Sequence, residues 1–97
     1  MKIYKDKDLM QQVEEIDLGI VPAGETKRFT FYVRNDSLAF LRNLRFMVEH
    51  AEVKVIESPE ELAPQTDDTI ILEWSPSITL KEGLKTMLRV QGIELWG

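Results

Sequence analysis

The side chains able to do chemistry are few and poorly placed for it. The chain has one histidine, His50, and no cysteine. A zinc site takes four nitrogen, sulfur or carboxylate ligands, most of them His or Cys, and this pair of counts does not supply them. As a general base His50 would need a nucleophile and an orienting carboxylate within reach. Glu49 is adjacent, but neighbours on a strand point to opposite faces. Asp67-Asp68 and the group Glu57, Glu60 and Glu61 are rich in oxygen. Calcium, however, takes about 6–8 oxygens from alternating positions around a glycine turn, and neither cluster has that spacing; both read as solvated loop acids. No phosphate-binding loop, dinucleotide fingerprint or Gly-x-Ser-x-Gly elbow is present. The expectation is a chain with no catalytic, cofactor-binding or metal site, which acts by binding protein.

Three places carry residues suited to such binding. The N-terminal arm, residues 1–13, sets Ile3, Tyr4, Leu9, Met10 and Val13 among charges. It forms a first strand within the domain or extends to a neighbour's sheet edge, and the sequence leaves both open. Leu95-Trp96-Gly97 places an aromatic almost at the end of the chain. There Trp96 either anchors an interface or packs across the open end of the domain. In the run Leu38-Ala39-Phe40-Leu41-Arg42, part caps the core while Phe40, with Arg42 and Arg45, reaches outward, a composition enriched at interfaces. The candidate partner-binding residues are therefore Ile3, Tyr4, Phe40, Arg42, Arg45, Leu95 and Trp96.

The elements that must position them are strands. In Lys27–Arg34, Phe29, Phe31 and Val33 share one face and Arg28, Thr30, Tyr32 and Arg34 the other. Leu44, Phe46 and Val48 alternate with Arg45, Met47 and Glu49, and Val53 and Val55 form a short continuation. Ile70, Leu72 and Trp74 continue an inward face, which makes Trp74 core; Leu84, Thr86, Leu88 and Val90 repeat the pattern. Pro22-Ala23-Gly24-Glu25, Asn35-Asp36-Ser37 and Glu82-Gly83 read as turns. Ser58-Pro59-Glu60-Glu61 has the form of a capping box with proline at the first helical position, which predicts one short helical turn near residues 58–62. No sustained 3.6-residue apolar stripe appears. Short strands separated by turns imply an all-β sandwich or barrel filling residues 1–97 as one domain.

At 97 residues the chain suits one core, which buries roughly 65% of the unfolded surface. Charges interrupt the N-terminus every few positions, so no secretory signal is read there, and no run approaches the ~20 apolar residues of a membrane span. The net charge of −5 disfavours nucleic acid. It is unevenly spread: residues 25–48 carry +3 and residues 49–73 carry −7. Either two steering patches or an ordinary solvated surface follows from that.

Two stretches resemble a known family. Ile16-Asp17-Leu18-Gly19-Ile20-Val21-Pro22-Ala23-Gly24-Glu25-Thr26, followed by the strand to Val33 and then Asn35, is similar to the opening of the immunoglobulin-like (Ig-like) modules of Hydin-type ciliary proteins and their bacterial relatives. Leu62-Ala63-Pro64, Ile70–Pro76, Gly83 and Leu88-Arg89-Val90 resemble that family's later strands, and together the matches span most of residues 16–92. The resemblance implies a seven-stranded antiparallel sandwich related to major sperm protein, with a docking or polymerising role and no catalytic residues. This chain departs from the pattern in being one module, in lacking an export signal, and in carrying about a dozen residues before the first matched strand. A stand-alone, cysteine-free Ig-like domain resembles the small accessory proteins of tailed-phage virions, which decorate heads or fill neck and tail joints. What this implies is a repeated virion structural protein as partner, residence in the virion or host cytoplasm, and no nucleic acid, membrane or cofactor. Self-association and a cytosolic adaptor role stay open beside it.

Overall fold

Period-two alternation is realised as seven strands over Met1–Trp96, the residues the computed structural model describes. They are β1 (Lys2–Tyr4), β2 (Glu15–Gly19), β3 (Lys27–Asn35), β4 (Phe40–Val48), β5 (Val53–Glu57), β6 (Thr66–Trp74) and β7 (Leu84–Leu95). All pairings are antiparallel. One sheet has the order β1-β3-β6-β5 and the other β2-β7-β4. Their inner faces meet in one core in which Val33, Ile70, Leu72 and Trp74 are fully buried, joined by Ile16, Leu18, Phe31, Leu44, Phe46 and Leu88.

The first sheet follows the A-B-E-D order of an immunoglobulin constant-type sandwich, and β4 and β7 take the places of C and F. The third strand differs. In the immunoglobulin pattern a strand following F closes the second sheet, whereas here β2, which precedes β3, lies against β7. It reaches only part of the way: β2 opposes Leu84–Met87 of a twelve-residue strand.

The helical turn expected near residues 58–62 is absent. Leu41 and Leu62 exchange backbone hydrogen bonds of 2.9 Å in both directions, and Leu44 N–H donates to the Glu60 carbonyl at 3.0 Å. The backbone groups that a helical turn would use are committed to β4, and Leu62 drops its side chain into the core. A local cap preference is worth about 1 kcal/mol; burying a leucine is worth about 2. A second correction concerns Asp67 and Asp68, which lie within β6 rather than in a loop.

A candidate protein-docking face

The site is built on the β4–β7 ladder and depends on one irregularity. Arg42 opposes Ile93 and Arg45 opposes Gln91, so Asn43 and Leu44 together face the single residue Gly92. That is a β-bulge. Asn43 adopts φ 53°, a left-handed conformation that asparagine tolerates better than most residues. A Cβ at Gly92 would stand 2.6 Å from Leu44 Cδ2, so a larger residue there would displace that buried side chain. The extra residue reverses the alternation of β4. Leu41 is buried beside Leu44 and Phe46, while Phe40 and Arg42 join Arg45 and Met47 on the outer face.

The outer face then reads as a set of cross-strand pairs: Phe40 with Leu95, Arg42 with Ile93, Arg45 with Gln91, and Met47 with Arg89. Directly opposed side chains on one face are neighbours, with Cβ atoms about 5 Å apart. Ile93, Leu95 and Met47 are roughly half exposed and Phe40 is partly covered. Three arginines stand among them. Arg89 Nε donates to Glu49 Oε1 at 2.8 Å, and Arg42 Nε lies 3.8 Å from Glu61 Oε1. Arg45 forms no ion pair among the described residues. The face is thus apolar at one end, positively charged toward the middle, and flat.

Four of the seven residues singled out in the sequence, Phe40, Arg42, Arg45 and Leu95, meet on this surface. Ile93, Met47 and Arg89 complete it and were not picked out. The signal for Ile93 was the continued alternation of β7 beyond Val90, and for Met47 and Arg89 the outward positions of the alternation already read. Trp96 follows Leu95 with opposite parity and is 66% exposed, so it does not pack across the end of the sandwich. Ile3 and Tyr4 lie in the other sheet. β1 pairs with β3 within the chain, Tyr4 bridges Gln12, and Ile3 packs against the core. The arm is a first strand, not an extension.

The candidate chemical groups are dispersed. His50 stands edge-on to Trp74, with ring centroids 6.2 Å apart, and its Nδ1 accepts from Glu52 N–H at 3.3 Å. Glu52 receives the Ser77 N–H at 3.0 Å, and the Ser77 contacts hold its carboxyl below the usual range. The Trp74 indole N–H has no partner in hydrogen-bond geometry, but it lies close enough to the Glu52 carboxylate to add to that lowering. Asp67 faces Arg34 at 3.6 Å, and Asp68 accepts the Thr69 N–H at 2.7 Å. No group of three or more His, Cys, Asp or Glu side chains converges as a metal site among the described residues.

No family model matches the chain, and no curated protein or solved structure shows significant similarity to it.

Proposed function

We propose that this chain is a non-catalytic structural subunit that docks through the outer face of β4 and β7, and that its place is in a phage particle. There it decorates the capsid or stabilises a neck or tail joint by binding a repeated, larger shell protein. The observation that carries the reading is the surface on which Phe40, Ile93 and Leu95 stand beside Arg42 and Arg45. Apolar and aromatic side chains set beside arginines are a composition enriched at protein interfaces. The arginines fit a partner whose rim is acidic. Copies bound side by side on a repeated lattice add avidity, so each contact can be weak. The reading also draws on the family resemblance carried by residues 16–92, which implies docking modules without catalytic residues.

Sedimentation of a native lysate tests it. The chain should travel with multi-megadalton particles and stay with them through a moderate salt wash. A chain confined to the light fractions, alone or with one soluble protein at a fixed small ratio, overturns the particle assignment in favour of an adaptor.

A further inference from the structure

The second sheet leaves one edge unfinished. Glu49 N–H donates to the Met87 carbonyl at 3.1 Å. Met87, Arg89, Gln91, Ile93 and Leu95 therefore turn their backbone groups toward β4, and Leu88, Val90, Gly92, Glu94 and Trp96 turn theirs the other way. β2 covers that side only as far as Met87. Upstream of β2 the chain leaves for the opposite sheet, where Val13 N–H donates to the Ile3 carbonyl at 2.9 Å. Among the described residues no strand pairs with the outer side of Leu88–Leu95. The departure leaves a cavity of about 410 Å³ beside β2, lined by Ile3, Val13, Glu14, Met87, Leu88 and Val90. A second, of about 190 Å³, follows along Val90, Gly92 and Glu94.

We propose that a second copy of this chain fills the edge, β7 against β7, antiparallel and about a two-fold axis at Gly92. Unpaired strand edges are templates for strand addition, and a two-fold contact must be self-complementary. The register follows from the residues. Glu14, next to the Glu15 that opposes Met87, stands beside Leu88, so the free edge begins at Val90; centring on Gly92 pairs Val90 with Glu94 of the second copy and brings its Trp96 up to the end of β2. A shift of two residues one way drives the second copy's Trp96 against β2, and the other way shortens the ladder. Opposed residues share a face, so each Trp96 lies over the other copy's opening, against Leu88, Ile3 and Val13. A buried tryptophan contributes roughly 150–250 Å², a useful share of the roughly 1,000 Å² that a specific interface needs. Glu94 opposes Val90, Gln91 opposes Ile93 and Arg89 opposes Leu95, so no like charges are set against each other. The exposure of Trp96 and of the unpaired strand end is thereby accounted for by one contact. The contact leaves the outer face of β4 and β7 free and joins two copies of it in one sheet, but it does not depend on what that face binds.

Analytical ultracentrifugation of the full chain, from micromolar to millimolar, tests the proposal together with amide hydrogen exchange. The expected result is a monomer–dimer equilibrium reaching twice the 11.3 kDa chain mass. Protection should rise with concentration at the Val90, Gly92 and Glu94 amides. Trp96→Ala should weaken the dimer roughly thirtyfold, as loss of an interface hot spot does. Glu94→Pro should weaken it as well, since it removes a donor that points out of the monomer and leaves the fold unchanged. A chain that stays monomeric throughout overturns the proposal and leaves the edge to a strand of another protein. A dimer that neither substitution weakens, or one whose protected amides lie elsewhere, overturns it too.

Discussion

Asn35 is the polar side chain on which one end of the sandwich turns. It is 1% exposed, and its Nδ2 donates to the Ala39 carbonyl at 2.7 Å, the Leu62 carbonyl at 3.1 Å and the Ala63 carbonyl at 3.2 Å. Its Oδ1 accepts from Ser37 N–H and from Ser37 Oγ. One amide thus ties the end of β3 to the entry of β4 and to the strip that pairs with Leu41. Asn35→Ala should cost about 3 kcal/mol, because buried carbonyls lose their donor. Asn35→Asp should be at least as damaging near neutral pH and less so in acid, since a carboxylate would face three carbonyl oxygens and protonation restores one donor. Urea unfolding at two pH values checks both; an alanine variant as stable as the parent would contradict the role. At this scale the sequence was only half legible. Asn35 was visible as a turn residue and as the asparagine that closes the matched strand, but its two partners far along the chain, Leu62 and Ala63, were not. Phe40 and Arg42 face outward as expected from their composition, but Asn43 and Gly92 gave no sign of the bulge that puts them there. A bulge depends on two strands at once, and alternation along one strand cannot reveal it.

Among the elements, long alternating strands were readable because burial of one face dictates their pattern: β3, β4 and β7 have the facing expected of them. The short connections were less so. Residues 58–62 carry a strong helical start signal, yet backbone pairing with Leu41 and Leu44 holds them extended. Whether the N-terminal arm folds back was undecidable from its composition, and small contacts decide it. Met10 and Gln11 N–H groups donate to the Asp6 carboxylate at 3.0 and 2.7 Å, and Lys2 Nζ lies 3.3 Å from Asp36 Oδ2. Desolvation pulls the Asp6 carboxyl upward, but the hydrogen bonds from Gln11 and Met10 outweigh it and leave the group below its ordinary 3.8. At Asp36 desolvation also pulls upward, and donation to the carboxylate from Lys2 and from the residue's own backbone N–H outweighs it. Both groups therefore titrate lower in the folded arm than in a free one. Their contribution is complete above the ordinary value of 3.8 and is lost as the pH falls through the lowered folded values. Amide exchange at residues 2–13 should accelerate in that acid range before the core of β3 and β6 responds. Simultaneous loss of arm and core would show that the arm is not held by these carboxylates.

For the whole molecule, the uneven charge of the sequence is largely resolved by register. The basic stretch and the acidic stretch are laid side by side in the β3–β6 ladder, where Arg28 opposes Glu73 and Arg34 opposes Asp67. Two charged patches do not form there. On the outer face of β4 and β7, Arg45 forms no ion pair among the described residues and Arg42 is held only loosely, beside Ile93 and Leu95. Exposed pairs such as Arg28–Glu73 contribute little stability, about 0–1 kcal/mol each. A double substitution tests most directly whether the outer face of β4 and β7 is the docking face. Arg45 and Ile93 are both exposed, so Arg45→Glu with Ile93→Ser should change stability by only about 1 kcal/mol in total. Wild type and variant, expressed in the same native background and sedimented on parallel gradients, should part: the wild type with the large particles, the folded variant in the light fractions. Both chains running with the particles, or both remaining light, would contradict the account.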